Sequence, residues 1–140
     1  MRITIVGSIS FRKEMVEYRD KLNALGHEAI ICPVMEDLAF NRNPELMKKI
    51  ETNHAQAKKE GGFIKWYYNA IVNSDAILVL NFDKKGIKNY IGGNTFMEMG
   101  FAHVHDKKIF LLNPVPEVSY KDEILAMLTE VLDRDIARLK

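Results

Sequence analysis

The run Ala76-Ile77-Leu78-Val79-Leu80 is the longest uninterrupted aliphatic stretch in this chain of 140 residues. Consecutive apolar residues without alternation predict a strand that is buried on both faces, as in a parallel sheet covered by helices. The run is far shorter than the roughly 20 apolar residues that span a bilayer. We therefore expect an interior strand of a globular fold and no membrane partner.

Strand and helix signals alternate on both sides of this run. The predicted strands cover residues 2–6, 28–32, 76–80 and 108–112. Helical spacing covers residues 11–25, residues 44–72 with an interruption at Gly61-Gly62, residues 95–105 approximately, and a C-terminal region that begins at Ser119. In that last region, Ser119 and Asp122 are expected to cap one another. Residues 34–43 are predicted to form a loop. This alternation predicts one α/β domain over residues 1–140. We expect a doubly wound, mainly parallel sheet of the Rossmann-like or flavodoxin-like type, with strand order about 2-1-3-4 and helices on both faces.

Composition and charge exclude several classes of protein. The chain has 20 Lys and Arg against 19 Asp and Glu, a net charge of +1, which is too even for a protein that holds a nucleic acid polymer through its phosphates. The lysine pairs, such as Lys58-Lys59 and Lys84-Lys85, are scattered and are predicted to be solvated. A single cysteine, Cys32, excludes an intrachain disulfide framework and a cysteine-rich zinc site. We expect a cytoplasmic protein without metal or cofactor.

The strand order predicts where a ligand binds. In doubly wound sheets, ligands bind at the carboxyl ends of the strands, beside the point where the strand order reverses. Two loops meet at that point, Gly7-Ser8-Ile9-Ser10 after the first strand and Asn81-Phe82-Asp83 after the third. Neither contains a GxxxxGK[ST] phosphate loop, a GxGxxG dinucleotide fingerprint or a GxSxG nucleophile elbow. The chemistry is therefore to be sought in these loops and in the helix that follows the second one.

The segment from Tyr90 to Ala102 is the most informative part of the chain. A glycine-rich turn, Gly92-Gly93-Asn94, opens a predicted helix whose first turn carries Glu98. One interpretation is structural, since Thr95 and Glu98 have the spacing of a capping box. The other is chemical, because the helix dipole would keep a carboxylate near the helix start ionised, as a nucleophile must be.

Four short motifs resemble those of the nucleoside 2-deoxyribosyltransferase superfamily, which includes the 2'-deoxynucleoside 5'-phosphate N-hydrolases. They are Ile5-Val6-Gly7-Ser8, Gly26-His27-Glu28, Ser74-Asp75-Ala76 and Glu98-Met99-Gly100-Phe101-Ala102. The resemblance covers most of the chain and implies a compact Rossmann-like fold, no metal, and a homodimer or larger homo-oligomer. It also implies that Glu98 is the nucleophile, within the E-x-G-x-A pattern.

The chemistry implied by the resemblance is displacement at an anomeric carbon. Glu98 attacks C1' of a 2'-deoxynucleoside or its 5'-monophosphate, the base leaves, and water or a second base resolves the glycosyl ester, as in retaining glycosidases. The loop Gly7-Ser8-Ile9-Ser10, with Arg12, resembles the place where hydrolase members hold a 5'-phosphate. The alternative for Ser10 is that it caps the helix that follows.

The sequence also departs from the family pattern. Tyr67 stands where many members carry an aspartate that assists the leaving base, and Gly92 stands where transferases carry another acid, so hydrolysis is favoured over transfer. Five residues are candidates to replace the missing acid, and spacing does not choose among them: Tyr67, Tyr68, Lys65, Asp83 and Asn94.

Three functions therefore remain open on sequence alone. The first is an N-glycosidic enzyme, with Glu98, Tyr67 and Asp83 in catalytic roles and a binding surface formed by Gly7, Ser8, Ser10, Arg12, Gly92, Gly93 and Asn94. The second is a non-catalytic nucleotide-binding module. The third is an interaction protein in which Glu98 is only a cap. An aromatic stripe at Phe63, Trp66 and Tyr67 is suited either to stacking on a base or to packing in the core or at a subunit contact.

Overall fold

The computed structural model describes residues 1–140, with the exception of the side chain of Glu60. The strands are β1 (Arg2–Gly7), β2 (Glu28–Ile30), β3 (Ala76–Leu80), β4 (Lys108–Leu111) and β5 (Glu130–Val131). The helices are α1 (Arg12–Ala24), α2 (Pro33–Ala39), α3 (Pro44–Thr52), α4 (His54–Gly61), α5 (Phe63–Val72), α6 (Gly93–Val104) and α7 (Lys121–Met127), with short 3₁₀ helices at Ile9–Phe11 and Ile136–Arg138. None of the described helices is long and apolar enough to cross a membrane.

All five strands form one parallel sheet in the order β2-β1-β3-β4-β5. Strand β3 is central, with Ile77 paired to Thr4 of β1 and Leu78 paired to Phe110 of β4. Every residue of β3 is buried, as expected for a strand covered on both faces. The α/β fold class and the strand order of the first four strands are therefore confirmed.

The ends of β1 and β3 approach each other closely at Gly7. A Cβ atom at this position would lie 2.9 Å from the backbone oxygen of Leu80, closer than real Cβ contacts come. Only glycine lets the chain leave β1 beside the end of β3 without pushing the two strands apart. This approach places the loops after β1 and β3 side by side at the carboxyl edge of the sheet.

Residues 34–43 were expected to form a loop, and this prediction is wrong for residues 34–39, which are helical, and correct for residues 40–43. Pro33, which was expected to stop the second strand, instead occupies the first turn of α2, where its missing N–H is not needed because that group would have no partner within the helix. Met35, Leu38 and Ala39, three and four residues apart, are buried and pack this short helix on the core. Strand β2 is accordingly shorter than predicted and ends at Ile30.

The long helical region after Pro44 is divided twice rather than once. Asn53 ends α3, and its side chain accepts a hydrogen bond from the backbone N–H of Gln56 at 3.3 Å, which caps α4. Gly62 separates α4 from α5 in the left-handed conformation, with φ of 63°. The break between α4 and α5 was predicted from Gly61-Gly62. The break between α3 and α4 was not predicted, because it depends on an asparagine, a residue that also occurs within helices.

The C-terminal region differs most from the prediction. Only α7 is an α-helix there, and β5 then pairs with β4 at the edge of the sheet. The expected mutual capping of Ser119 and Asp122 is absent, because α7 begins after Tyr120 without a side-chain cap. Strand β5 is only two residues long, too short for an alternating pattern to indicate it from sequence.

Candidate functional site

A cavity of about 270 Å³ opens at the carboxyl edge of the sheet, beside the ends of β1 and β3. Its walls come from the loop after β1, from α2 to α5, from the loop after β3 and from the start of α6. The lining residues are Gly7, Ser8, Ile9, Met35, Ile50, His54, Lys58, Phe63, Tyr67, Lys84, Lys85, Tyr90, Gly92, Gly93, Asn94 and Thr95. The loop after β1 contributes as predicted, whereas the segment after β3 contributes through Lys84, Lys85 and Tyr90 and not through the predicted Asn81-Phe82-Asp83.

Glu98 is buried against the wall of the cavity, with 2% of its surface exposed. Burial disfavours the charged carboxylate and raises the pKa of Glu98 to about 8, while the charge of Lys58 and a side-chain hydrogen bond from Asn94 oppose this shift. Lys58 and Asn94 both line the cavity, although Glu98 itself does not. The carboxyl group therefore lies just beneath the cavity surface, within reach of its polar residues.

The predicted capping box at Thr95 and Glu98 does not form. Helix α6 begins at Gly93, and its N-cap, Gly92, has no side-chain cap. Thr95 is thus the third residue of the helix, and Glu98 is the sixth and belongs to the second turn. The expectation that the helix dipole keeps Glu98 ionised is also wrong. Glu98 lies beyond the first turn, where the dipole acts, and burial disfavours its charged carboxylate.

Tyr67 lines the cavity from α5 and is 6% exposed. Burial raises the pKa of Tyr67 well above its ordinary value, and the nearby charges of Glu98 and Cys32 raise it further. A hydrogen bond from the Cys32 backbone acts in the opposite direction and lowers this pKa. Trp66 packs edge-on against Tyr67, with their ring centroids 5.0 Å apart. Phe63 also lines the cavity, so two members of the aromatic stripe contribute to the site and the third supports them.

Five of the predicted binding residues line the cavity: Gly7, Ser8, Gly92, Gly93 and Asn94. A Cβ atom at Gly92 would lie 2.7 Å from the hydroxyl of Tyr90, whereas one at Gly93 would meet nothing within 4 Å. The glycine at position 92 therefore makes room for a lining tyrosine, and the backbone of Gly93 faces open space.

Ser10, Arg12 and Asp83 are not among the lining residues. Ser8, not Ser10, caps the 3₁₀ helix after β1, and its oxygen accepts a hydrogen bond from the Ser10 N–H at 3.2 Å. Arg12 donates to the backbone oxygen of Ile9 at 3.3 Å. The carboxylate of Asp83 accepts a hydrogen bond from the backbone N–H of Asn89 at 2.9 Å, which stabilises the loop after β3.

Two other candidates for the missing acid, Lys65 and Tyr68, also lie outside the cavity lining. The hydroxyl of Tyr68 forms a 2.9 Å hydrogen bond with Nε2 of His105 on the protein surface. Asp75, part of a family-like motif, accepts a 2.8 Å hydrogen bond from the Arg2 N–H at the amino ends of β1 and β3, the opposite edge of the sheet. Of the five candidates, only Tyr67 and Asn94 line the cavity.

Sequence reasoning missed three lysines and a histidine that line the cavity: Lys58, Lys84, Lys85 and His54. The Nζ atom of Lys84 donates a 2.6 Å hydrogen bond to the Ser8 hydroxyl. Burial and the surrounding lysines lower the pKa of both Lys84 and His54. Members of two scattered lysine pairs thus converge on one cavity; Lys58 and Lys84 are partly buried, whereas Lys85 is exposed, as expected for a solvated side chain.

Among the described residues, no cluster of three or more His, Cys, Asp or Glu side chains is placed to hold a metal ion. The polar groups that line the cavity are instead ammonium, imidazole, hydroxyl and amide groups. These donate hydrogen bonds or positive charge, which suits an anionic or strongly hydrogen-bonding ligand.

Neither a family model nor a curated protein matches the sequence. The structure matches that of the Clostridium botulinum CMP N-glycosidase BcmB with a TM-score of 0.51, at 19% sequence identity, over 94% of this chain and 85% of that chain. The two chains share a fold. The Rossmann-like fold that the sequence resemblance implied is therefore confirmed, and the activity of this chain is a separate question.

Proposed function

We propose that this protein cleaves the N-glycosidic bond of a 2'-deoxynucleoside or of its 5'-monophosphate, with Glu98 as the nucleophile. The observation that carries the proposal is the position of Glu98, a buried carboxyl group whose neighbours Lys58, Asn94 and Tyr67 all line the cavity. The fold likeness to a CMP N-glycosidase, a protein whose name describes cleavage of the same type of bond, supports this choice.

The proposed reaction proceeds in two displacements at C1'. A carboxylate oxygen of Glu98 forms a bond to C1' while the bond from C1' to the base nitrogen breaks, and the base leaves with that electron pair and takes up a proton. Water then attacks C1' of the glycosyl ester, loses a proton and releases the carboxylate, so that the configuration at C1' is retained. Because Glu98 is nearly buried, its side chain must turn toward the cavity for the first step.

The ionisation state of Glu98 limits the rate of the first displacement. With a pKa of about 8, about a tenth of the molecules carry a carboxylate at pH 7. Lys58 and Asn94 oppose the effect of burial and keep that fraction from being smaller. We therefore assign these two residues the role of stabilising the ionised nucleophile.

Proton donation to the leaving base is the least specified part of the proposal. Tyr67 is next to Glu98, but its raised pKa makes it a weak acid, so we assign its hydroxyl to positioning the nucleophile or the sugar. Asp83 has no part in the proposed site, because it is exposed and bonded to Asn89. We favour water over a second base as the acceptor of the sugar, because Gly92 occupies the position at which the transferases carry an acid.

A non-catalytic nucleotide-binding module is the second candidate function. The raised pKa of Glu98 favours it, because a protonated carboxyl group is not a nucleophile. The cavity and its cationic lining serve binding equally well in either case. The two candidates differ in turnover and not in the ligand that they bind.

A chromatographic assay tests the proposal. Purified protein is incubated with a panel of 2'-deoxynucleosides and their 5'-monophosphates, with and without an acceptor base, beside Glu98→Gln and the exposed control Glu123→Gln. We expect free base from the wild type and from Glu123→Gln, and at least about a thousandfold less from Glu98→Gln. Ligand-induced thermal stabilisation without turnover across the panel would indicate the binding module instead.

A further inference from the structure

We propose that Tyr90 contacts the substrate, and that its hydroxyl group occupies the space that a side chain at position 92 would fill. The inference rests on the proposed function, because the ligand concerned is the nucleoside of that reaction, and it adds a residue that determines how this ligand is held. Tyr90 was not among the candidates that the sequence supplied, and Gly92 had been counted only as the loss of an acid.

The side chain of Tyr90 reaches across the start of α6. A Cβ atom at Gly92 would lie 2.7 Å from the Tyr90 hydroxyl oxygen, and 3.0 and 3.1 Å from two carbon atoms of its ring. The backbone of Gly92 is extended, with φ of −84° and ψ of 176°, a conformation that any residue adopts. The neighbouring tyrosine, and not the backbone conformation, therefore explains why a glycine fits at position 92.

Hydrogen bonds hold the main chain on both sides of the Tyr90 side chain. The Tyr90 N–H donates to the backbone oxygen of Phe82 at 2.9 Å. The next residue, Ile91, is fully buried, and its backbone oxygen accepts a hydrogen bond from the Tyr120 hydroxyl. Because this segment is organised before a ligand arrives, a contact made by Tyr90 costs little conformational entropy.

The ring of Tyr90 is held by a cation. The Nζ atom of Lys84 lies 5.4 Å from the ring centroid, within the distance at which an ammonium group is attracted to an aromatic face, and both residues line the cavity. This contact uses the ring and leaves the hydroxyl free. Phenylalanine at position 90 would keep the ring and lose only the hydroxyl.

The Tyr90 hydroxyl has no hydrogen-bond partner among the described residues, whereas the hydroxyls of Tyr68 and Tyr120 bond to His105 and Ile91. A phenol hydroxyl both donates and accepts hydrogen bonds. Since it is neutral and lines a cavity whose lysines are the stronger partners for an anion, it suits an uncharged donor or acceptor of the nucleoside.

Isothermal titration tests this contact in the Glu98→Gln background, in which turnover is blocked. The ligands are a 2'-deoxynucleoside and its 5'-monophosphate, chosen as the pair from the panel that binds Glu98→Gln most tightly. Tyr90→Phe removes the hydroxyl, and Tyr68→Phe is the matched control, because Tyr68 does not line the cavity.

We expect Tyr90→Phe to weaken the binding of both ligands by the same factor, about fivefold to tenfold, as for the loss of one hydrogen bond. Tyr68→Phe should leave both affinities unchanged. An unchanged affinity in Tyr90→Phe overturns the inference. A loss confined to the monophosphate also overturns it, because the hydroxyl would then contact the phosphate.

Gly92→Ala tests the same hydroxyl from the other side. The new Cβ atom has to push the end of Tyr90 aside, so this variant should also weaken binding about fivefold to tenfold. The double variant Tyr90→Phe/Gly92→Ala should lose clearly less than the product of the two single losses, because the hydroxyl that the Cβ displaces is already absent.

Thermal unfolding separates this effect from damage to the fold. The melting temperature of Gly92→Ala should lie within about 3 °C of that of Gly93→Ala, whose Cβ atom would meet nothing within 4 Å. Single losses that multiply in the double variant, or unfolding of Gly92→Ala at a clearly lower temperature, would show that position 92 acts through the fold and would overturn the inference.

Base release by the wild type and by Tyr90→Phe separates this inference from the proposed function. Weaker ligand binding by Tyr90→Phe, in a protein that releases no base, would support the contact and remove the proposed function. Base release with the same kcat and KM in both proteins would overturn the contact and leave the proposed function standing. Absence of binding by every ligand of the panel to Glu98→Gln overturns the inference as well.

Discussion

Asn81, which directly follows β3, and Asn113, which is the second residue after β4, form reciprocal hydrogen bonds. Oδ1 of Asn81 accepts from the Asn113 N–H at 2.9 Å, and the Asn113 side chain donates to the Asn81 backbone oxygen at 3.1 Å. The Asn81 amide also donates to the backbone oxygen of Asn113 at 2.9 Å. Both side chains are buried, so this pair anchors the start of the loop that carries Lys84.

Asn81→Ala is expected to lower the free energy of unfolding by about 2–4 kcal/mol, because it leaves buried donors and acceptors of Asn113 without partners. Urea unfolding measures this loss. Asn73→Ala, which removes an exposed hydrogen bond, serves as the control and should cost less than about 1 kcal/mol. A loss in Asn81→Ala no larger than the loss in Asn73→Ala would contradict this expectation.

The pH dependence of kcat/KM is expected to follow the ionisation of Glu98. A nucleophile must be deprotonated, so kcat/KM should rise about tenfold per pH unit below the Glu98 pKa of about 8 and level off above it. Initial rates of base release between pH 5.5 and 9.5, on the order of half-unit steps, measure this profile. A rate that instead falls above about pH 8 would show that Glu98 acts as a protonated acid.

The same group should make the fold less stable as the pH rises. The pKa of Glu98 is raised from 4.5 to about 8 in the folded protein, so the folded state binds more protons than the unfolded state between these values. The contribution of Glu98 to stability is full below about pH 4.5 and is lost as the pH rises through about 8.

Comparison of the wild type with Glu98→Gln isolates this effect, because glutamine does not titrate. Relative to Glu98→Gln, the unfolding free energy of the wild type should fall by about 1 kcal/mol per pH unit across that window. Chemical denaturation at pH values near 5, 6.5 and 8 provides the measurement. A constant difference between the two proteins would mean that Glu98 is not desolvated in solution.

Lys58→Met is expected to move the rising limb of the pH–rate profile to higher pH, by about one unit, because Lys58 favours the ionised form of Glu98. Lys58→Arg keeps the charge and should restore most of the original midpoint. Lys59→Met is the control, since Lys59 is the exposed neighbour on α4 and does not line the cavity. A profile that keeps its midpoint in Lys58→Met would show that this lysine does not act on Glu98.

Local patterns in the sequence were sufficient for the central architecture. The aliphatic run of β3 predicted a strand of a parallel sheet, because a strand without polar residues has to be covered on both faces. The alternation of strands and helices along the chain predicted that β1 and β3 are adjacent in this sheet. That order in turn predicted that the loops containing Ser8 and Asn81 lie at one edge.

Packing between distant segments decided the properties of the site. Lys58 on α4 and Lys84 in the loop after β3 are 26 positions apart and carry no pattern that relates them, yet both line one cavity. The pKa of Glu98 likewise depends on burial by surrounding elements, not on its place in a helix. Sequence patterns report short-range conformation and which faces are covered, whereas the tertiary structure alone sets which charges are brought together and how far they are removed from water.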